Sequence, residues 1–253
     1  MHVLLSGIVG STAYGLAHPG SDVDRLGLFA APTVDFHGLH RPAESHVTTA
    51  PDRTLHEAAK WCRLALGGNP TASELVWLPK DLYEVRTPLG DELIGIRRSF
   101  LSGHAVRRSY LGYATQQFRK LTTRDATDPV ARARAAKHAR HLVRLVEQGL
   151  ALHESGEIVV RLADPERVRA LGEQYAERPE DAAGLLAAAE ARFDRPGVLP
   201  QAPDEAPAEA WLRRVRAAHL ESAARPPSGR GFGRRFEPRR GAQSPGGPPG
   251  ITG

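Results

Sequence analysis

The tightest constraint on this chain lies in residues 10–24, which read Gly-Ser-Thr-Ala-Tyr-Gly-Leu-Ala-His-Pro-Gly-Ser-Asp-Val-Asp. Gly10-Ser11 follows the apolar run Val3-Leu4-Leu5-Ser6-Gly7-Ile8-Val9. Small residues at the end of a strand let backbone N–H groups approach a phosphate closely. In Ser21-Asp22-Val23-Asp24 two carboxylates flank one apolar residue. In an extended segment they share a face and can hold one divalent ion. A fold that serves both sets a phosphate cradle beside a paired-carboxylate site. Phosphoryl or nucleotidyl transfer needs that arrangement, because its chemistry is mostly positioning and charge neutralisation. Each cluster alone has a plainer reading. Pro19-Gly20-Ser21-Asp22 is good turn chemistry, and Ser11 is a natural helix N-cap. Their joint spacing favours ligand binding, since two like charges this close repel unless a cation sits between them.

Gly10-Ser11 with Asp22-Val23-Asp24 resembles the signature of the DNA polymerase β-like nucleotidyltransferase superfamily. The longer stretch Gly10–Leu16 with Ser21–Phe29 is similar to a narrower branch, the predicted bacterial and phage nucleotidyltransferases that include RNA-repair-associated members. Leu64-Ala65-Leu66-Gly67-Gly68-Asn69-Pro70-Thr71-Ala72-Ser73-Glu74-Leu75 matches a second block of that branch, and the resemblance runs over residues 3–160. It implies a metal-dependent enzyme that moves a nucleoside monophosphate from an NTP to an acceptor hydroxyl. Mg²⁺ or Mn²⁺ would be held by Asp22, Asp24 and a third acid on a neighbouring strand. Asp52 is the candidate for that acid, and it reads equally well as the N-cap of a following helix. Asp35, Glu44 and Glu57 are weaker alternatives. Nucleotide contacts would come from Gly10, Ser11 and Tyr14, with Arg25 bracing the carboxylates.

The resemblance leaves the acceptor open. An RNA or DNA end is favoured over a small molecule and over a protein hydroxyl, which an AMPylating enzyme of antitoxin type would use. A nucleotide-binding protein with a degenerate site is the non-enzyme reading.

The pattern along the chain predicts a small α/β unit, then helices, then a tail. Strands are expected at Val3–Val9, at Val23–Phe29 carrying the carboxylates, and at His46–Thr49, with a short helix over Ser11–Ala17. Leu55–Leu66 follows a helical stripe that Asp52 or Thr54 could cap and Gly67-Gly68 stop. From Pro88 onward, helices are expected over 90–98, 100–121, 129–155, 164–175, 181–193 and 206–224. The division is therefore 1–88 as the nucleotidyltransferase domain, 89–224 as a helical domain, and 225–253 as a disordered Pro/Gly/Arg-rich tail. Two rows on the helical half carry charge at helical spacing. Tyr113, Gln116 and Lys120 form one, and Lys137, His141 and Arg144 the other. A solvated face explains either row; converging on the cradle, Lys120 and Lys137 would supply the positive charge an NTP requires.

The net charge of +5 equals the excess of six arginines over one glutamate in residues 225–253, which leaves the rest of the chain close to neutral. The basic pI is therefore a weak argument for nucleic-acid binding. One cysteine, Cys62, excludes an intramolecular disulfide and suits a reducing compartment. No run reaches the length of a membrane helix, and Met1-His2-Val3 lacks a signal-peptide pattern. The expectation is a cytoplasmic protein with no membrane partner.

Overall fold

In a computed structural model, residues 1–123 and 128–220 are described. The first part is a five-stranded mixed sheet with helices. Its strands are β1 (His2–Ile8), β2 (Arg25–Ala30), β3 (Ser45–Thr49), β4 (Asp52–Glu57) and β5 (Tyr83–Arg86), in the order β3-β4-β2-β1-β5. The buried run Leu4–Gly7 makes β1 an interior strand, paired antiparallel with β2 on one side and β5 on the other. β3 is largely exposed and forms one edge.

Register decides where the polar clusters meet. β2 and β4 run parallel with Arg25 opposite Arg53, so their starting ends lie side by side. β1 runs the other way, with Ile8 opposite Arg25. The end of β1, the residues before β2 and the start of β4 therefore share one end of the sheet. There α1 (Gly10–Tyr14) begins directly after β1.

Two expectations about this half need correction. The carboxylates do not ride on a strand: β2 starts at Arg25, and the ladder closes with Val9 N–H donating to the Asp24 carbonyl at 2.9 Å. Leaving the ladder frees both acid side chains from the sheet's alternation. The helix expected over Leu55–Leu66 begins only at Ala58, as α2 (Ala58–Leu66), because residues 52–57 pair with β2 and β3 instead. Long-range pairing overrides a local helical stripe that contained Leu55. The helix is capped neither by Asp52 nor by Thr54. Glu57 does this, its carboxylate accepting from Ala59 N–H at 2.8 Å.

A short helix, α3 (Pro70–Glu74), and α4 (Pro88–Gly95) complete this part. The helical region follows with α5 (Gly103–Thr122), α6 (Pro129–Ser155), α7 (Pro165–Glu177), α8 (Asp181–Phe193) and α9 (Glu205–Ala218). Asp128 and Asp164 cap α6 and α7 ahead of a proline at the first helical position, so both starts are sharp. α6 is the core helix: Leu142, Val143, Leu145 and Val146 are all at most 2% exposed. Each such side chain contributes about 1.5–3 kcal/mol of burial. One apolar cluster runs from Leu4 on β1 to Val215 on α9. Trp61 and Trp211 are fully buried in it, and burial pushes the Cys62 thiol up to about 12. The helix expected over 206–224 ends at Ala218, with residues 219–220 in a turn, and residues 221–224 and the tail expected at 225–253 lie outside the described residues. No described helix is long and apolar enough to cross a membrane.

Candidate active site

The sheet end described above opens into a cavity of about 700 Å³, faced across the gap by α5 and α6. Gly10, Ser11, Tyr14, Asp22, Asp24, Asp52, Lys120 and Lys137 all line it. Its size suits a nucleotide, within the roughly 300–1,000 Å³ of small-molecule sites.

Gly10 opens α1 with φ +68°, and a Cβ there would fall on Asp24 Oδ2. Only glycine lets the turn and the carboxylate sit this close. The N-cap is Val9, and no side chain caps this turn. The first backbone N–H groups of α1 are thus left for an acceptor from outside the helix. Ser11 is inside the helix, so it is not the cap that local chemistry alone suggests.

Asp24 is half-buried and lies beside Asp52. Its carboxyl is pushed up, first by burial and next by repulsion from Asp52; Lys137 opposes this and Asp22 adds to it less strongly. The close pair is therefore Asp24 with Asp52, while Asp22 stands on the exposed loop before β2. Among the described residues no three His, Cys, Asp or Glu side chains are gathered as a ready-made metal cluster. The donor chemistry still fits a hard divalent cation. The donors are all carboxylate oxygens, and the crowding that favours a proton on Asp24 is what a cation would relieve.

The other acids weighed for the third position are engaged elsewhere. Glu44 pairs with Lys60 and Arg63, and buried Glu57 pairs with Arg216 at 2.7 Å. Asp35 lies in the short turn Thr33–His37, away from the cavity lining. Arg25 braces the loop's backbone, donating to the Val23 carbonyl at 3.2 Å and pairing with Glu84 at 2.7 Å.

Of the helical residues, Lys120 and Lys137 are exposed and reach the cavity. The row on α5 is displaced in phase: Gln117 lines the cavity in place of Gln116, and Tyr113 instead accepts from the Asn69 amide at 3.0 Å. Gln117 accepts from His138 Nδ1 at 2.9 Å. His141 is pushed down to about 3 by burial first, then by Arg144, His138, Lys120 and Lys137. It is neutral in the folded chain. An unfolded histidine takes up a proton near pH 6.5, whereas folded His141 does so only near pH 3. The unfolded state therefore binds the extra proton in that window, and stability falls as pH drops through it, by up to about 1.4 kcal/mol per pH unit. His141→Gln is expected to flatten that slope in denaturation measured between pH 6 and 4.

Sequence reasoning missed a buried group. Arg144 is inside the protein, paired with Glu74 at 2.5 Å, and the Tyr14 hydroxyl donates to Glu74 at 2.7 Å. Burial pushes the Tyr14 phenol well above its usual value, so it remains a donor. Tyr14 consequently offers the cavity its ring and keeps its hydroxyl for Glu74. The readable signal was a single charge inside each of two apolar runs, Leu142-Val143-Arg144-Leu145-Val146 and Ala72-Ser73-Glu74-Leu75-Val76.

Curated proteins show no match to this chain. A family model described as the RNA repair pathway DNA polymerase beta family (RlaP) matches residues 1–195. That span takes in the sheet, every acid at the cavity and both lysines facing them. The chain thus belongs to the RNA repair pathway DNA polymerase beta family, a group of polymerase β-like nucleotidyltransferases.

Proposed function

We propose that this chain transfers a nucleoside monophosphate from an NTP to an acceptor hydroxyl, with a nucleic-acid end as the favoured acceptor. The observation that carries the reading is one cavity with the uncapped Gly10–Ser11 turn, the Asp22, Asp24 and Asp52 carboxylates, and the Lys120 and Lys137 ammonium groups around it. Residues 1–88 supply the turn and the acids, and residues 89–224 supply the lysines. The turn's N–H groups hold the β- and γ-phosphates. Lys120 and Lys137 neutralise charge from across the cavity. Asp22, Asp24 and Asp52 would hold Mg²⁺ or Mn²⁺, which when bound offsets charge on the phosphates.

Asp52 takes the proton of the attacking hydroxyl, whose oxygen bonds to the α-phosphorus as the α–β bridge breaks and pyrophosphate leaves. A second hollow of about 310 Å³ adjoins the first, sharing Asp22, Arg25 and Asp52 and adding Thr49 and Pro51. It gives the acceptor end room on the far side of the acids. The family's RNA-repair description supports a nucleic acid in that place.

Lys137→Ala is expected to raise the KM for NTP tenfold to a hundredfold, since hydrogen bonds to charged groups contribute about 1.5–3 kcal/mol. Its exposed position limits the loss in melting temperature to a few degrees, from the weaker support of the Asp24 charge. Steady-state kinetics and a melting curve on the same variant check both parts.

The acceptor class is tested by incubating the protein with each α-³²P NTP, Mg²⁺ or Mn²⁺, and equal pools of RNA, DNA and lysate protein. Label that survives protease and is lost to nuclease supports a nucleic-acid end. Label on a protein by one nucleotide replaces that acceptor with the AMPylating alternative. Binding without any labelled product points to the degenerate site.

A further inference from the structure

At the floor of the cavity, where Tyr14, His141 and Arg144 line it, a largely buried polar cluster joins its two walls. The side chains of Arg144 and Glu74 are 2% and 0% exposed and form the ion pair already described. The Arg144 guanidinium lies over the Tyr14 ring, 4.2 Å from its centroid. Its Nη1 also donates to Gln148 Oε1 at 2.7 Å, and its Nη2 to His141 Nδ1 at 3.3 Å.

Stability does not explain this cluster. A buried ion pair is commonly no better than apolar side chains of the same volume. Here Arg144 Nε, Gln148 Nε2 and the Tyr110 hydroxyl are also buried without a partner, which adds cost. What the cluster does have is placement. Tyr14 is the last residue of α1, whose first residues are Gly10 and Ser11. Arg144 lies two helical turns along α6 from Lys137. Glu74, at the end of α3, ties one to the other.

We propose that Arg144 is a positioning residue for the nucleotide: through Glu74 and Tyr14 it sets the Gly10–Ser11 turn at the separation from Lys137 that a triphosphate spans. The guanidinium fits because its fork reaches Glu74, Gln148 and His141 together while its plane stacks on Tyr14, a set of contacts one ammonium cannot make. The inference rests on the nucleotidyl-transfer reading, and its test separates the two.

The test uses the full chain, wild type beside Tyr14→Phe and the double variant Glu74→Leu/Arg144→Met. Affinity for α,β-methylene-ATP with Mg²⁺ is measured by calorimetry, with a melting curve for each protein. Tyr14→Phe removes one oxygen and opens no cavity. It is expected to melt within a few degrees of wild type and to bind the analogue about tenfold more weakly, with a larger loss in the double variant. A cluster that only fills space would change melting and leave affinity alone. Wild-type affinity in folded Tyr14→Phe therefore overturns the proposal by itself, even where the double variant does not fold. Wild type that binds neither this analogue nor the α,β-methylene analogues of the other three NTPs overturns both this inference and the nucleotidyl-transfer reading.

Discussion

Asp24→Asn is expected to lower nucleotide transfer about a thousandfold, a loss on the order of 4 kcal/mol in transition-state stabilisation, while leaving the fold at least as stable as wild type. The two effects have one cause. Asp24 is held by burial and by its neighbours Asp52 and Asp22 in a place where its charge is unwelcome without a cation. Its raised carboxyl means that the folded chain keeps this proton more tightly than the unfolded chain. That contribution to stability is present in acid and is lost as pH rises through the raised value. In chelator-treated protein, the Asn variant should therefore gain on wild type in melting temperature at pH 7.5 and lose that advantage near pH 4. Added Mg²⁺ should stabilise wild type more than the variant. An Asn variant that melts lower at neutral pH and still transfers would remove Asp24 from the site.

Gly10→Ala is expected to reduce transfer about a hundredfold through geometry alone. The positive φ at Gly10 costs an L-residue about 1–2 kcal/mol. The new methyl also meets the Asp24 carboxylate, so either the turn or the acid must shift. Displacement by even about 1 Å at such a site costs on the order of a hundredfold in rate. Melting should fall by only a few degrees, since the turn lies outside the apolar core. The comparison with Gly20→Ala is instructive. Gly20 also has positive φ, and a Cβ there meets nothing within 4 Å. That variant should show the backbone cost without the loss of transfer.

These residues also mark how much the sequence could reveal. The Gly10-Ser11 and Asp22-Val23-Asp24 clusters were legible because turn chemistry and charge repulsion act between near neighbours. The helical region was legible to within a few residues for the same reason: Asp128-Pro129 and Asp164-Pro165 are local start signals. β4 was not, because Leu55 fits a helical stripe as well as a strand. What decides between them is pairing with β2, nearly thirty residues earlier. β5 is four residues long in a turn-rich stretch and exists through its partner β1. The phase error on α5, Gln116 for Gln117, is one residue and about 100° of helix, enough to move a side chain off the cavity. The Glu74–Arg144 pair joins residues seventy apart, and neither end announces the other.

The most direct measurement of the central claim follows both halves of the NTP in one reaction, with α-³²P and γ-³²P label run in parallel on a 3′-hydroxyl RNA oligonucleotide and on the same oligonucleotide blocked at its 3′ end. Nucleotidyl transfer predicts one pyrophosphate released for each α-labelled nucleotide incorporated, no γ-label on the acceptor, and loss of both signals in Asp24→Asn. Release of γ-label as inorganic phosphate, or its appearance on the acceptor, would show that this cavity breaks a different bond and would contradict the account.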